Sequence, residues 1–238
     1  MKTSHIPSKI SIPIVYLHPD KVTKYLLWTI ATLFFLSFLE KLIVNWLNAT
    51  ADNQIIPRFF VFDLEYNFPS LYSALALLFC SYLLAMIATI KKSTQYLYTK
   101  SWTILSFIFM YLAIDELCSI HELLIPILRN VFDAKGIFFF PWVIPAFILL
   151  IVFLIVFRDF IVNLPKKTKI LFLLAGGVYV GGAMGMELID GYFADVLGFD
   201  TKAYWIASTI EELLEMLGIV IFIYGLLSYI QDNRKTTH

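Results

Sequence analysis

Six apolar runs, each of about 20 residues or more, take up most of this chain. A helix rises about 1.5 Å per residue, so about 20 residues cross a bilayer hydrocarbon core that is about 30 Å thick. The composition agrees, because 60% of the 238 residues are hydrophobic and only 15% are charged. We therefore predict an all-α fold: a polytopic membrane helix bundle with six transmembrane helices.

The apolar runs also set the domain boundaries. A juxtamembrane tail is expected over residues 1–23, a six-helix transmembrane domain over 24–231 and a C-terminal tail over 232–238. The predicted spans are about 24–47, 70–90, 102–128, 140–162, 170–190 and 204–230. Ala49-Thr50-Ala51 resembles a signal cleavage site, but the run before it is too long for a signal peptide, so a retained anchor is expected.

Lysine and arginine are distributed unevenly between the two sides of this predicted bundle. Thirteen lie on the side of the two termini, and the other side has four, namely Arg58, Arg129, Lys135 and Lys202. Basic loops stay in the cytoplasm, so both termini are predicted to be cytoplasmic and the protein to lie in the cell inner (plasma) membrane. The tryptophans then form two belts, with Trp28 and Trp102 inside and Trp46, Trp142 and Trp205 outside.

The longest predicted outer loop covers about residues 48–69. From Phe60 to Phe68 its large apolar residues alternate with other residues, which indicates an extended segment lying on the outer surface. Two interpretations stay open for it: a loop with aromatic anchors at the interface, or a lid over a functional site. The formal net charge is zero and gives no reason to expect a nucleic acid partner.

Acidic residues lie where hydrocarbon is expected. Charge buried in lipid is costly, so such residues face the bundle interior and indicate a functional site. Antiparallel helices bring those of the third, fifth and sixth spans to one layer in the outer half, where they are expected to line an acidic chamber closed on the cytoplasmic side. They are Asp115, Glu116, Glu122, Glu187, Asp190, Glu211, Glu212 and Glu215.

These eight carboxylates share the layer with His121 and with no lysine or arginine. They cannot all be ionised without compensation, so the chamber is expected to hold bound cations or several protons. Carboxylates and histidine on facing helices form metal sites in helix bundles. The predicted ligands of a divalent metal ion are Asp115, His121, Glu122, Glu187, Asp190, Glu211 and Glu215. Glu212 or Glu116 is predicted to be the catalytic general base.

The identity of the metal is open among Zn, Fe, Mn and Ca, because a carboxylate-dominated site with one histidine suits each of them. The Glu-x-x-His spacing of ferritin-like sites is missing, which argues against a di-iron centre of that type. Structural roles compete at several positions. Glu122 and Asp190 can be solvated at helix ends, Glu116 can make a polar contact between helices, and Cys118 can be a small apolar filler.

Three segments resemble the signatures of a group of uncharacterised bacterial multipass membrane proteins. They are Ile114-Asp115-Glu116 through Ser119-Ile120-His121-Glu122, Gly182-Ala183-Met184-Gly185-Met186-Glu187, and Glu211-Glu212-Leu213-Leu214-Glu215-Met216-Leu217-Gly218. The stretch from Phe62 to Pro69 is similar as well. The resemblance implies a bacterial origin, and no activity comes with it.

Three function classes follow from the chamber. The first is a metal-dependent enzyme acting on a lipid or other amphipathic substrate at headgroup depth. The second is a proton- or cation-coupled transporter, and the third is a metal-binding or assembly factor without catalysis. The inner halves of the spans carry few polar residues, which favours a one-sided site over a pathway. Membrane lipid is the expected partner, and the oligomeric state is left open.

Overall fold

The computed structural model describes residues 17–50, 58–62, 64, 66–93 and 97–235. Every regular element within these ranges is helical and none is a strand, which confirms the all-α prediction. The α-helices are α1 (Pro19–Thr50), α2 (Phe68–Ser93), α3 (Thr99–Cys118), α4 (Ile120–Phe132), α5 (Val143–Val162), α6 (Lys166–Val180), α7 (Glu187–Val196) and α8 (Lys202–Lys235). A 3₁₀ turn (Gly136–Phe138) precedes α5, and a π-helical segment (Gly181–Met186) joins α6 to α7.

Six helical stretches are long and apolar enough to cross a membrane, which is the predicted number. They are Pro19–Leu47, Phe68–Lys92, Thr99–Cys118, Val143–Val162, Lys166–Val196 and Lys202–Asn233. The first and last stretches extend into the predicted tails, so part of each tail is helical. The remaining tail residues, 1–16 and 236–238, lie outside the described residues.

The third span differs most from its predicted limits of 102–128. α3 ends at Cys118, and Ser119 adopts a left-handed conformation, with φ 49° and ψ 46°, before α4 begins at Ile120. A residue in this conformation ends a helix, because it turns the chain away from the helix axis. The apolar run continues across the break, so hydropathy predicts one helix where the structure has two.

One end of the bundle is rich in lysine and is filled with packed aromatic rings. This Lys-rich end carries Lys24, Lys91, Lys92, Lys100, Lys166 and Lys167. The central helix α8 contacts α1, α2, α6 and α7. Trp102 is fully buried, and its ring meets those of Phe160 and Tyr229. Nearer the middle of α8, Phe109 and Phe222 stack with their ring centroids 4.5 Å apart. Apolar packing therefore fills the bundle between the Lys-rich end and the acidic layer.

Two glycines bring α8 close to the fifth span. A Cβ atom at Gly182 would lie 2.8 Å from the carbonyl oxygen of Glu211, and one at Gly218 would lie 2.7 Å from the backbone nitrogen of Tyr179. Any larger residue at either position would collide with the backbone of the facing helix. Small residues allow this kind of close contact between helices in membranes.

Gly177, Gly181 and Gly185 form a row on the fifth span that, unlike Gly182, faces open space. A Cβ atom built on any of the three would meet nothing within 4 Å in the part of the chain that the structure describes. The four-residue spacing therefore marks a helix face without side chains that contacts no other described helix here. The close contact with α8 is made by Gly182, which lies beside that row.

The described part of the outer loop folds back onto the bundle. Phe62 is 1% exposed and packs in a cluster with Ile30 of α1 and Met216 of α8. The carboxylate of Glu40 accepts hydrogen bonds from the backbone N–H groups of Phe59 and Phe60, at 2.8 and 2.6 Å. A buried anchor and a carboxylate clamp thus fix the loop, in place of the extended surface segment that was predicted.

The end of the loop is organised by Asn67, which is buried. Its Oδ1 accepts a hydrogen bond from the backbone N–H of Ser70 at 3.0 Å, and Ser70 Oγ accepts one from the N–H of Asn67 at 3.1 Å. The Asn67 amide nitrogen also donates to the carbonyl groups of Val61 and Leu64. Asn67 therefore caps α2 and closes the preceding turn, which is a common role for asparagine at a helix start.

Candidate functional site

Three carboxyl groups from two helices meet at the end of the bundle opposite the lysines. Glu187 and Asp190 lie about one turn apart on α7, and the carboxyl of Glu211 on α8 lies within hydrogen-bonding range of both. Asp190 is only 1% exposed. A carboxylate only accepts hydrogen bonds, so two carboxyl groups bond to each other only when one of them carries a proton. This carboxyl chain, Glu187–Glu211–Asp190, therefore needs protons or another cation among its members.

The local backbone explains why α7 and α8 present these groups to each other. The π-helical segment ends at Met186, so Glu187 is the first residue of α7. Within that segment Gly182 lies against the carbonyl of Glu211, and no side chain separates the two backbones. Single π-helical turns inside α-helices are rare and occur often at functional sites.

Trp142, just before α5, links the carboxyl chain to His121. Its indole N–H donates a 2.7 Å hydrogen bond to Oε1 of Glu187. Its ring lies against the imidazole of His121, with the ring centroids 4.9 Å apart. One side chain thus fixes the position of a carboxylate on α7 and of a histidine on α4.

Asp115 holds His121 through both of its carboxylate oxygens. Oδ1 accepts a 3.0 Å hydrogen bond from the backbone N–H of His121, and Oδ2 lies 3.0 Å from the Nδ1 atom. An ionised Asp115 requires the proton of the neutral imidazole to be on Nδ1, which makes Nε2 the nitrogen that can accept a proton or bind a metal. Asp115 also caps the start of α4 across the break at Ser119.

Four half-buried acids lie near Tyr179 of α6. Electrostatic interactions reach this tyrosine from Glu215, Glu116, Asp115 and Glu212. Two predicted metal ligands and both candidate general bases are therefore within electrostatic range of one phenol group. Tyr179 brings a hydroxyl group into a layer that otherwise consists mainly of carboxylates.

Glu122 and Cys118 are exposed at the edge of the site. Glu122 lies in the first turn of α4 and remains within electrostatic range of Glu187. The backbone carbonyl of Cys118 accepts a 3.2 Å hydrogen bond from the hydroxyl of Tyr66, which ties the outer loop to the break between α3 and α4. The loop thus touches the wall of the site beside Asp115.

Glu40 and Lys41 do not join the acidic layer. Glu40 serves the loop clamp described above, and the ammonium group of Lys41 lies 3.5 Å from the centroid of the Trp205 ring. A cation over an indole face is electrostatically favourable, so this contact couples α1 to the start of α8.

The described residues contain no group of three or more His, Cys, Asp and Glu side chains arranged to surround a metal ion. Glu187, Glu211 and Asp190 are turned toward one another, whereas His121 is directed to Asp115 and Trp142. The donor types still suit a divalent cation, since carboxylate oxygens and one imidazole are common ligands of such ions. A metal would have to separate the touching carboxyl groups and take the place of the protons between them.

Sequence reasoning missed two residues of this site. Trp142 was predicted to be part of an interfacial belt, and Tyr179 had no predicted role. The indole N–H of Trp142 is the partner of Glu187, and Tyr179 is within electrostatic range of four acids. A tryptophan beside two prolines at the start of a span was the available signal for the first; Tyr179 carried no such signal.

A family model described as a domain of unknown function (DUF8692) matches residues 26–230. The chain belongs to this family. All residues of the acidic layer lie within the match, as do the π-helical segment and most of the first and last spans. No curated protein and no solved structure matches the chain. Membership of DUF8692 agrees with the expected resemblance to an uncharacterised group.

Proposed function

We propose that this DUF8692 protein binds a cation at a one-sided acidic site within the membrane. A divalent metal ion, Zn, Fe, Mn or Ca, would there support a reaction on a lipid or other amphipathic substrate. The proposal includes a bacterial inner membrane location with both termini in the cytoplasm, as the distribution of lysine and arginine favours. The acidic layer then lies in the outer half of the membrane.

The observation that carries this proposal is the contact of Glu211 with both Glu187 and Asp190. Three carboxyl groups at such close range are stable only with positive charge among them. Protons supply that charge when no other cation is bound. A divalent ion would also supply that charge, and carboxylate oxygens of the same residues would hold it.

The surrounding residues have distinct proposed roles. Glu187, Glu211 and Asp190 would hold the ion together with Glu215, while His121, fixed by Asp115, offers its Nε2 atom. Bound there, a metal ion would polarise an ester or phosphoryl oxygen or activate a water molecule. Glu212 and Glu116 lie near Tyr179 and would move protons to and from the substrate, and Glu122 marks the exposed edge where the substrate enters.

The test is metal analysis of the full chain purified without chelators. Wild type should contain a stoichiometric divalent metal, and Glu211→Ala and Glu215→Ala should each lose most of it. Asp200→Ala, which removes an exposed carboxylate outside the site, is the matched control and should keep the metal. Wild type without stoichiometric metal would exclude the metal enzyme and the metal-binding assembly factor together.

The alternative is a proton- or cation-coupled transporter, which the carboxyl chain also suits. A transporter needs a polar route through the Lys-rich half, where Trp102, Phe109 and Phe222 are packed. Gradient-driven flux in proteoliposomes tests it: flux that Asp115→Asn abolishes would favour the transporter over the one-sided site.

A further inference from the structure

A second site candidate lies at the Lys-rich end, far from the acidic layer. An open groove of about 470 Å³ runs between α1 and α8. Its polar end is formed by Asp20, Thr23 and Lys24 in the first turns of α1, and its apolar wall includes Leu27 and Trp28. Tyr224 of α8 closes the other side. The groove combines a charged rim with an apolar floor.

The two charges at the rim form no ion pair with any described residue. Asp20 and Lys24 are four residues apart on α1, a spacing at which opposite charges commonly pair. Both are exposed, and among the described residues no ion pair joins either of them to a partner. An anionic and a cationic group are therefore both available at one edge of the groove.

Thr23 adds an unsatisfied hydroxyl group between these charges. Thr29 and Thr32, further along α1, each donate to the backbone carbonyl four residues earlier. The Oγ1 atom of Thr23 is enclosed and has no hydrogen-bond partner among the described residues. A buried polar atom without a partner is unfavourable, so a ligand oxygen that reaches this hydroxyl would be bound favourably.

The apolar part of the groove has the composition of a membrane interface. Trp28 is 64% exposed and Leu27 is 41% exposed, which leaves both available to acyl chains. Tryptophan is enriched where headgroups meet hydrocarbon, because its ring is apolar and its N–H is polar. The charged rim and the apolar wall thus match the two parts of a phospholipid in their order along the membrane normal.

We propose that this groove binds one zwitterionic phospholipid whose headgroup carries a primary ammonium, as in phosphatidylethanolamine. The phosphate lies at Lys24 and the ammonium at Asp20, while Thr23 donates to a phosphate or ester oxygen. The acyl chains lie along Leu27 and Trp28. This assignment does not depend on the function proposed for the acidic layer.

The headgroup chemistry separates this lipid from the other common ones. The quaternary ammonium of phosphatidylcholine has no N–H to donate to Asp20, and phosphatidylglycerol has no ammonium at all. Charge-assisted hydrogen bonds are about twice as strong as neutral ones, so the primary ammonium should decide the selectivity.

The full chain should be reconstituted in vesicles of equimolar phosphatidylethanolamine, phosphatidylcholine and phosphatidylglycerol, then extracted mildly, and its bound lipids counted by native mass spectrometry. Wild type should retain one phosphatidylethanolamine per chain, in about fivefold excess over phosphatidylcholine. Asp20→Asn and Lys24→Gln should each remove that preference, and Thr23→Val should weaken retention about threefold. Lys21→Gln changes an exposed neighbour that does not line the groove and should behave as wild type.

Two outcomes would overturn the proposal. Retained lipids that mirror the vesicle composition would mean ordinary annular lipid, and preferential retention of phosphatidylglycerol would mean simple attraction of anions to Lys24. Unchanged elution and melting temperature of the variants would show that they fold, which is expected because Asp20 and Lys24 are exposed. The metal content of these variants should equal that of wild type. The lipid proposal can therefore be contradicted without affecting the proposal for the acidic site, and the reverse.

Discussion

The indole N–H of Trp142 donates to Oε1 of Glu187 at 2.7 Å, and this single bond ties the start of α5 to the start of α7. The same ring lies against His121. The position of the carboxyl chain relative to the imidazole therefore depends on a residue that cannot itself titrate.

Trp142→Phe tests that dependence, because it keeps an aromatic ring and removes the N–H group. We expect unfolding to become easier by about 1–2 kcal/mol, since a partly buried carboxylate loses a donor. Metal loading should fall severalfold. Both can be measured on purified protein by thermal unfolding and metal analysis. Trp28→Phe, at an exposed position far from the acidic layer, should change neither; equal effects of the two substitutions would contradict the role given to Trp142.

Gly182→Ala should separate Glu187 from Glu211. Its Cβ atom would lie 2.8 Å from the Glu211 carbonyl oxygen, so one backbone must move. We expect a loss of about 1–3 kcal/mol in stability, as for other overpacked sites. Gly185→Ala in the same π-helical segment has open space around it and should be neutral or slightly stabilising. A melting temperature that falls equally in both variants would show that the close approach at Gly182 has no special role.

Asp115 has two roles, to cap α4 and to place a negative charge beside His121, and two substitutions can separate them. Asp115→Ala removes the cap of α4 and should destabilise the protein by about 1 kcal/mol. Asp115→Asn can keep the bond to the backbone N–H of His121, and it loses the negative charge that selects the Nδ1 proton. Stability should therefore recover in the asparagine variant while metal binding does not. Recovery of both would leave Asp115 with a capping role only.

Metal binding should release protons. The contact of Glu211 with Glu187 and Asp190 implies that the carboxyl chain holds protons when no metal is bound. A metal ion must displace these protons. Affinity should therefore rise with pH, and calorimetric titration in buffers of different ionisation enthalpy should reveal about one proton or more released per ion. Binding without proton release would mean that the ion occupies a place other than the carboxyl chain.

The number of membrane spans could be predicted from the sequence because it follows from the length of apolar runs. The break at Ser119 could not, since a left-handed serine leaves hydropathy unchanged. The gathering of acids on α3, α7 and α8 around one layer follows from antiparallel helices and was expected. The hydrogen-bond partners of the acids were not expected. Glu40 accepts from backbone amides of the outer loop, and Glu187 accepts from a tryptophan. Such pairings depend on helix rotation, which periodicity fixes only roughly.

The glycine row illustrates the same limit. Gly177, Gly181 and Gly185 recur at four-residue spacing, whereas the close contact with α8 needs Gly182. A π-helical segment changes the angular position of each residue that follows it, so a face projected on a regular helix is displaced beyond that point.

That displacement has a consequence for the acidic layer. A π-helical turn holds one residue more than an α-helical turn, and successive residues of a helix differ by about 100° in direction. If Gly181–Met186 relaxed into regular α-helix, α7 would rotate about its own axis by up to that angle and carry Glu187 and Asp190 away from Glu211. The approach of Glu187 and Asp190 to Glu211 thus depends on the wider helical turn that Gly181–Met186 forms.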